Sequence, residues 1–438
     1  MKRSFKMRVS YYALGCKVNE YEATAVVNRF LERGYKLVDF RDESDVCIIN
    51  TCTVTANSDA KSRKVIRQAI RRNPDAVIAV MGCFSQLNPG EVAKIPGVDI
   101  VIGTGERHLL FELVEKFLRE KEAYCGVGPV NNLRAYEELK IGSYVSRVRG
   151  FVKIQDGCDN FCSYCAIPFA RGRVRSRAAG DIIAEIKKLV ATGIKEVVLT
   201  GINTAAYGAD LKGYGFANLL EDIFSGIADL RRLRISSIEI TEITDDYLSV
   251  IARHRDRFCR HLHIPLQGGT DKILEKMNRK YATADYMAKI DKIRDLFPDI
   301  NITTDVMVGF PGETDDDFRA ARSFIEQMRF GEMHVFPYSP RPGTKAAAFS
   351  PQVPQSVKKE RVNSLLELNR EMAMRYRKRF EGRVLPVIVE KIENGLARGH
   401  SDNYLEIAFS LSGAEINAIY PVRIVSAAYP LSRGEVIV

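Results

Sequence analysis

No apolar stretch approaches the roughly 18 consecutive residues that read as a membrane span, and the opening Met1-Lys-Arg-Ser-Phe-Lys-Met-Arg-Val-Ser10 lacks a signal-peptide core. A cytoplasmic protein with no membrane partner is therefore the expectation. In a reducing compartment nine cysteines read as metal ligands or buried thiols rather than disulfides. No ligand at finger spacing follows the densest thiol group: after Cys165 the next thiol is Cys259 and the next imidazole His254. What the chain does have is length, 438 residues, enough for two or three domains, and 46% apolar residues, enough for ordinary cores. Lys and Arg outnumber Asp and Glu by 65 to 55, a net charge of +10. That balance favours an anionic partner, of which nucleic acid is the commonest for a soluble protein.

Cys158, Cys162 and Cys165 stand in the spacing Cys-x3-Cys-x2-Cys, directly after the β-rich run Phe151-Val-Lys-Ile-Gln-Asp-Gly157. Three thiolates this close can hold three corners of a four-iron cluster and leave one iron open, where the usual cluster has four cysteine ligands. The competing reading is a zinc site short of one ligand.

The first 120 residues alternate short β-rich runs with helical patterns, which argues for parallel strands joined by helices. The runs are Met7 to Leu14, Asp45 to Asn50, Ala76 to Met81 and Asp99 to Ile102. A cysteine follows each of the first three: Cys16, Cys52 and Cys83, 36 and 31 residues apart. In an open parallel sheet the loops beyond the strands' carboxyl ends share one edge. These thiols either meet there as a second three-thiolate site or are unrelated loop cysteines. Cys47, mid-strand among apolar residues, reads as core, and Cys125 and Cys259 have no companions. Between the loops, Lys61, Arg63, Lys64, Arg67, Arg71 and Arg72 form either a solvated helix face or an edge facing phosphate.

From Gly150 six βα-type units follow, with strands at Phe151 to Gln155, Glu196 to Thr200, Leu233 to Ile240, His261 to Leu266, Asn301 to Val308 and Met333 to Tyr338. Six are too few for the closed eight-stranded barrel, so a curved, open barrel is expected, with its site at the strands' carboxyl ends. Those ends read Thr200-Gly-Ile-Asn203, Ser236-Ser-Ile-Glu239, Pro265-Leu-Gln-Gly-Gly269 and Val308-Gly-Phe-Pro-Gly-Glu313. Asn203, Glu239 and Gln267 offer hydrogen bonds to a ligand, and the glycines, Gly201 among them, serve either close ligand approach or ordinary turns. Thr314 with Asp317 reads as a helix cap. Arg171, Arg173, Arg175 and Arg177 alternate, so in an extended chain they share one face and line a wall suited to phosphate, unless one of them pairs with an acid.

Pro354 to Arg383 reads as a long basic helix, with nine Lys or Arg against four Glu from Lys358 to Arg383. About five short β-rich runs follow, between Val384 and Val438. A small five-stranded barrel of this kind either binds oligonucleotides or caps the larger barrel. On the first reading the turn Arg398 to Tyr404 is a contact loop, with His400 and Tyr404 as its aromatic groups.

The Cys-x3-Cys-x2-Cys spacing closely resembles that of the radical S-adenosylmethionine enzymes. With Gly15-Cys-Lys-Val-Asn-Glu-Tyr-Glu22, Asn50-Thr-Cys-Thr-Val-Thr55, the triad and a terminal β-barrel, the whole chain is similar to the methylthiotransferases, and most to the branch acting on N6-threonylcarbamoyladenosine in tRNA. The sister branches act on isopentenyladenosine in tRNA or on a ribosomal-protein aspartate. Outside the family, a metal-stabilised RNA-binding protein without catalysis is the remaining alternative. Leu266-Gln-Gly-Gly269 departs from the resemblance, since the family more often has serine after the glutamine.

The resemblance implies an N-terminal α/β domain over 1–130, a radical barrel domain over 140–375 and a small RNA-binding (TRAM-like) β-barrel over 376–438. It implies two [4Fe-4S] clusters, one on Cys158, Cys162 and Cys165 and one on Cys16, Cys52 and Cys83. S-adenosylmethionine would bind the first cluster's open iron beside Tyr164, one molecule methylating the sulfur and a second giving a deoxyadenosyl radical. The implied partners are a tRNA anticodon loop and a low-potential electron donor. The sequence carries no signal for oligomeric state.

Overall fold

The computed structural model describes residues 6–139 and 148–437. Met1 to Phe5, the expected domain boundary at residue 140 and Val438 lie outside them. The chain forms two compact units. One holds the described residues up to 139 with Lys153–Arg177 and Ser339–Ala347, and the other holds the described residues of 148–152 with Ala178–Tyr338 and 348–437. Among the described residues no helix is long and apolar enough to cross a membrane.

The first unit is built on a parallel sheet of six strands. In spatial order these are Lys36–Leu37, Arg8–Ala13, Val46–Thr51, Val77–Gly82, Ile100–Ile102 and Tyr124–Gly126. Side chains of a strand alternate between faces, and here both faces are covered. Ile48, Ala79 and Met81 pack with Ala23, Val26, Phe30, Leu110 and Val114 of two helices. Cys47, Ile49, Ile78 and Val80 pack on the opposite side with Val65, Ile66 and Ala69. Burial on both faces explains the near-continuous apolar runs. Cys47, fully buried, is the core residue its setting predicts. The strand order reverses between Arg8–Ala13 and Val46–Thr51, and such a reversal opens a crevice beyond the carboxyl ends of the strands.

The second unit carries the open barrel. Its strands form two three-stranded sheets, Arg232–Ile235 / Glu196–Thr200 / Arg149–Lys153 and His261–His263 / Asn301–Val308 / Glu332–Pro337. Parallel bridges Leu233 to Phe258 and Ser237 to His263 link the two. Six strands thus run in chain order around an incomplete barrel. Thr314 caps the helix Asp315–Met328 through a capping box with Asp317, as the sequence predicts. The basic helix Gln355–Lys378 ends before a closed five-stranded barrel of Val384–Glu393, Leu396–Ser401, Glu406–Ser410, Leu431–Val436 and Ile419–Ser426, in that spatial order.

Within this unit Glu196, fully buried, holds three arginines: Arg234 at 2.7 Å, Arg149 at 3.2 Å and Arg232 at 3.5 Å. Arg232 also donates to the carbonyl of Pro386 at 2.6 Å and Arg234 to that of Ser401 at 3.4 Å, which ties the small barrel to the foot of the large one. Burial works against the Glu196 charge, but the three guanidiniums outweigh it and hold the carboxyl at about 2. Its contribution to stability is therefore complete above the ordinary value of 4.5 and fades as the pH falls toward about 2. Removing one partner of a buried ion pair costs roughly 3 to 5 kcal/mol. Glu196→Gln should lower unfolding stability by about 3 kcal/mol at neutral pH, and urea titrations should show the gap from wild type closing as the pH drops through that window.

Candidate functional site

Cys16 follows the strand Arg8–Ala13, Cys52 follows Val46–Thr51 and Cys83 follows Val77–Gly82, three strands adjacent in the sheet. Cys16 Sγ lies 3.9 Å from Asn19 Oδ1, which Arg171 holds at 2.7 Å while its Nε lies 3.2 Å from Cys83 Sγ, so Cys16 and Cys83 share one neighbourhood. Gly15 at φ +92° brings the chain so near that a Cβ there would sit 2.6 Å from Cys52 Sγ. Desolvation raises all three thiols above their ordinary value, and Arg171 pulls each back.

Arg171 is the centre of this end of the unit. Fully buried, its Nε donates to Cys83 Sγ at 3.2 Å, and its other nitrogens donate to Glu22 at 2.7 and 3.0 Å, Asn19 at 2.7 Å and Asp156 at 3.0 Å. Glu22 also holds Arg107 at 2.5 Å and Lys153 at 2.7 Å. Burial opposes the Glu22 charge, but Arg107, Arg171 and Lys153 overcome it and keep the carboxyl ionised.

The second cysteine set lies on the same unit, in the loop that leads to Arg171. Gly157 stands at φ +76°, and a Cβ there would fall on the carbonyl of Arg173, so only glycine fits. The loop is closed by Cys158 N donating to the Gly172 carbonyl at 3.0 Å and Cys165 N to the Cys162 carbonyl at 2.9 Å. Cys158, Cys162, Tyr164 and Cys165 are all half-buried, with no disulfide. Half-buried thiols on a tight, glycine-set loop fit a cluster reached by a small molecule. The first set fits one too: three sulfurs at one sheet edge, with Cys52 and Cys83 buried and Cys16 exposed, need a positive centre among them to exist as thiolates. Arg171 alone cannot balance three, and Glu22 already neutralises part of it.

The expected wall of four arginines does not form. Arg171 ends the short helix Ile167–Arg171 and Gly172 reverses the chain at φ +73°, so the alternation of an extended strand never applies to it. Arg175 is buried and donates to the carbonyls of Arg171 and Arg173 at 2.8 and 2.9 Å. Arg177 is buried against Glu138. Arg173 alone faces solvent, beside Asp159 and 4.8 Å from the centre of the Phe161 ring. Phe161 meets Phe169 edge-on, and Phe169 is 49% exposed, an aromatic surface that the sequence reading missed.

The reading of His400 and Tyr404 as an open stacking loop is corrected as well. The Tyr404 ring lies between His261 and His400, each at 4.7 Å, with Arg234 at 4.7 Å and Arg149 at 5.1 Å from its centre. His400 hydrogen-bonds Glu390 at 2.9 Å. These groups fasten the small barrel within its own unit and cover both faces of the Tyr404 ring.

The barrel loops divide similarly. Glu239 is held by Arg279. Gly269 packs on Ala321 and Gly309 on Lys358, which gives both a structural cause. Asn203 is buried, and Gly201 beside it is half-buried. Gln267 adds backbone strain to burial. It stands at φ +64° with its backbone bonded to Asp305 and Met307 at 2.8 Å, while its buried Oε1 has no partner among the described residues. A strained residue with an orphan buried oxygen fits a ligand contact.

Comparison with known proteins agrees with this geometry. Residues 152–325 match the radical SAM superfamily and residues 8–103 match a family described as uncharacterised, UPF0004. The chain is 43% identical to a threonylcarbamoyladenosine tRNA methylthiotransferase, MtaB, of Bacillus subtilis, over 98% of this chain and 96% of that one. It is 38% identical to the protein of the same name from Aquifex aeolicus, over 92% and 96%. A tRNA-2-methylthio-N(6)-dimethylallyladenosine synthase of Clostridium botulinum is 36% identical over 86% and 84%. Among solved structures, the radical S-adenosylmethionine methyltransferase TsrM of Kitasatospora setae shares the fold, with a TM-score of 0.59 over 78% of this chain and 74% of that one at 17% identity.

Gly157→Ala should misplace Cys158 alone and leave the first cysteine set intact. Iron analysis of protein purified without oxygen should then fall from about eight to about four atoms per chain. With cysteines, fold and relatives in accord, the chain belongs to the methylthiotransferases of the radical S-adenosylmethionine superfamily, in the MtaB branch, enzymes that use [4Fe-4S] clusters and S-adenosylmethionine.

Proposed function

We propose that the protein replaces the C2 hydrogen of N6-threonylcarbamoyladenosine, next to the anticodon of tRNA, with a methylthio group. The observation that carries this reading is the pair of three-cysteine sets in one compact unit, joined through Arg171, in a chain 43% and 38% identical to relatives that bear that name. A sister relative named for dimethylallyladenosine is 36% identical, against 43% and 38% for the two relatives named above, which favours the first substrate.

Cys158, Cys162 and Cys165 would hold the radical-generating cluster, and Cys16, Cys52 and Cys83 the auxiliary one. Bound together, the two clusters and S-adenosylmethionine supply the one-electron cleavage, the sulfur and the methyl group. The protein's own groups position and shield. Arg171 donates a hydrogen bond to a ligand sulfur, and such bonds tune cluster potential. Tyr164, Gly201, Asn203, Glu239 and Gln267 are the proposed contacts of the nucleotide cofactor. The adenine must leave its stack to be modified, as bases acted on by enzymes generally do, and the exposed Phe169 with Arg173 offers a sequence-tolerant stacking surface. The exposed Lys61, Lys64, Arg67, Arg71 and Arg72 of the helix Ala56–Arg72 suit phosphate contact, and the terminal barrel is a TRAM-like RNA-binding domain. A low-potential electron donor completes the set of partners.

Nucleoside mass spectrometry of tRNA from cells lacking the gene should show 2-methylthio-N6-threonylcarbamoyladenosine replaced by its unthiolated form, with restoration by the wild-type gene and none by Cys158→Ala. Loss of the methylthio group from isopentenyladenosine instead would move the protein to the sister branch. Unchanged nucleosides would reject a tRNA substrate.

A further inference from the structure

Three donors that play no part in the reading above meet inside the second unit. His263 ends the strand His261–His263, Asp305 lies mid-way along Asn301–Val308, and His334 lies in Glu332–Pro337. The register places Thr303 beside His263 and His334 beside Asp305, so three neighbouring strands each present one group. His263 Nε2 lies 3.2 Å from Asp305 Oδ2, and His334 Nδ1 lies 3.1 Å from Asp305 Oδ1. One ligand atom from each of the three falls within 4.8 Å of the others.

The spacing and chemistry suit a metal ion. Bonds of about 2.0 to 2.1 Å put adjacent ligands around a divalent transition ion roughly 3.0 to 3.4 Å apart. Two imidazoles and one carboxylate form the two-histidine, one-carboxylate set that such ions take, with positions left for water or an oxygen ligand. The surroundings also orient the ring as metal sites do. His263 Nδ1 lies 2.9 Å from Thr303 Oγ1, and that hydroxyl lies 3.0 Å from His261 Nε2. A hydroxyl that accepts from His263 Nδ1–H and donates to His261 leaves Nε2 of His263 with a bare lone pair facing the carboxylate. Lone pairs at that distance repel unless a cation or a proton lies between them. The His334 side chain is 68% exposed, which gives an ion a way in.

We infer that His263, Asp305 and His334 form a third metal site, mononuclear and free of cysteine, which takes a divalent transition ion with an N2O donor set and keeps at least one coordination position open. The site is independent of the six cysteines, so its presence does not depend on the cluster assignment.

Zinc is the probe. Protein loaded with its clusters and purified without oxygen is dialysed against micromolar Zn2+, freed of loose metal, and analysed for zinc and iron together. Wild type should retain about one zinc per chain at unchanged iron content, and Asp305→Asn and His334→Gln should each retain none. His334→Gln changes an exposed position and so keeps the test open even where Asp305→Asn weakens folding. No zinc in the wild type, or equal zinc in wild type and His334→Gln, overturns the inference and leaves a proton-bridged trio in its place. Neither result touches the nucleoside test of the proposed reaction.

Discussion

The buried ionic knot around Arg171 is the interaction on which the first unit depends. One guanidinium joins Glu22 on the helix after the first cysteine, Asp156 on the strand before the radical triad, and Cys83 itself. A lone buried charge costs several kcal/mol, so Arg171 cannot be stable there without its two acids, nor Glu22 without Arg171, Arg107 and Lys153. Each element that carries a cysteine set is thereby held to the other. The same constraint supplies positive charge beside sulfurs whose thiols desolvation raises, an effect that Arg171 offsets only in part. The second unit repeats the device with the sign reversed: one buried carboxylate, Glu196, gathers three arginines and seats the small barrel.

The two ionic centres divide the positive charge of the chain into structural and functional parts. Arg149, Arg171, Arg175, Arg177, Arg232 and Arg234 are enclosed, and their charge is answered by Glu22, Asp156, Glu138, Glu196 and Glu390. Exposed cations include those on the face of the helix Ala56–Arg72 and Arg173 beside its aromatic pair, and these stay open to an anionic partner. A net charge of +10 is therefore a statement about the surface only after the buried pairs have been set aside.

What the sequence revealed and what it hid follow from the range of the interactions involved. Strand periodicity is local, so Glu196–Thr200 and Asn301–Val308 are found at their predicted limits, and the position of a cysteine just past each strand is enough to bring Cys16, Cys52 and Cys83 to one edge. The fate of Arg171 is not local. Its acid partner lies 149 residues away, and the short helix that carries it breaks the alternation read from its neighbours. Tyr404 is hidden for the same reason, since His261 and Arg149 reach it from far upstream. His263, Asp305 and His334 each look like an ordinary strand residue, and only strand register places them together.

The central claim is that the two cysteine sets hold two separate clusters in one unit. It is tested most directly by replacing Cys16, Cys52 and Cys83 together with alanine and measuring iron and the reduced-state EPR spectrum under anaerobic conditions. The account predicts about four irons per chain and one surviving cluster signal that still changes on adding S-adenosylmethionine. An iron content equal to that of the wild type, or a surviving signal indifferent to S-adenosylmethionine, contradicts it.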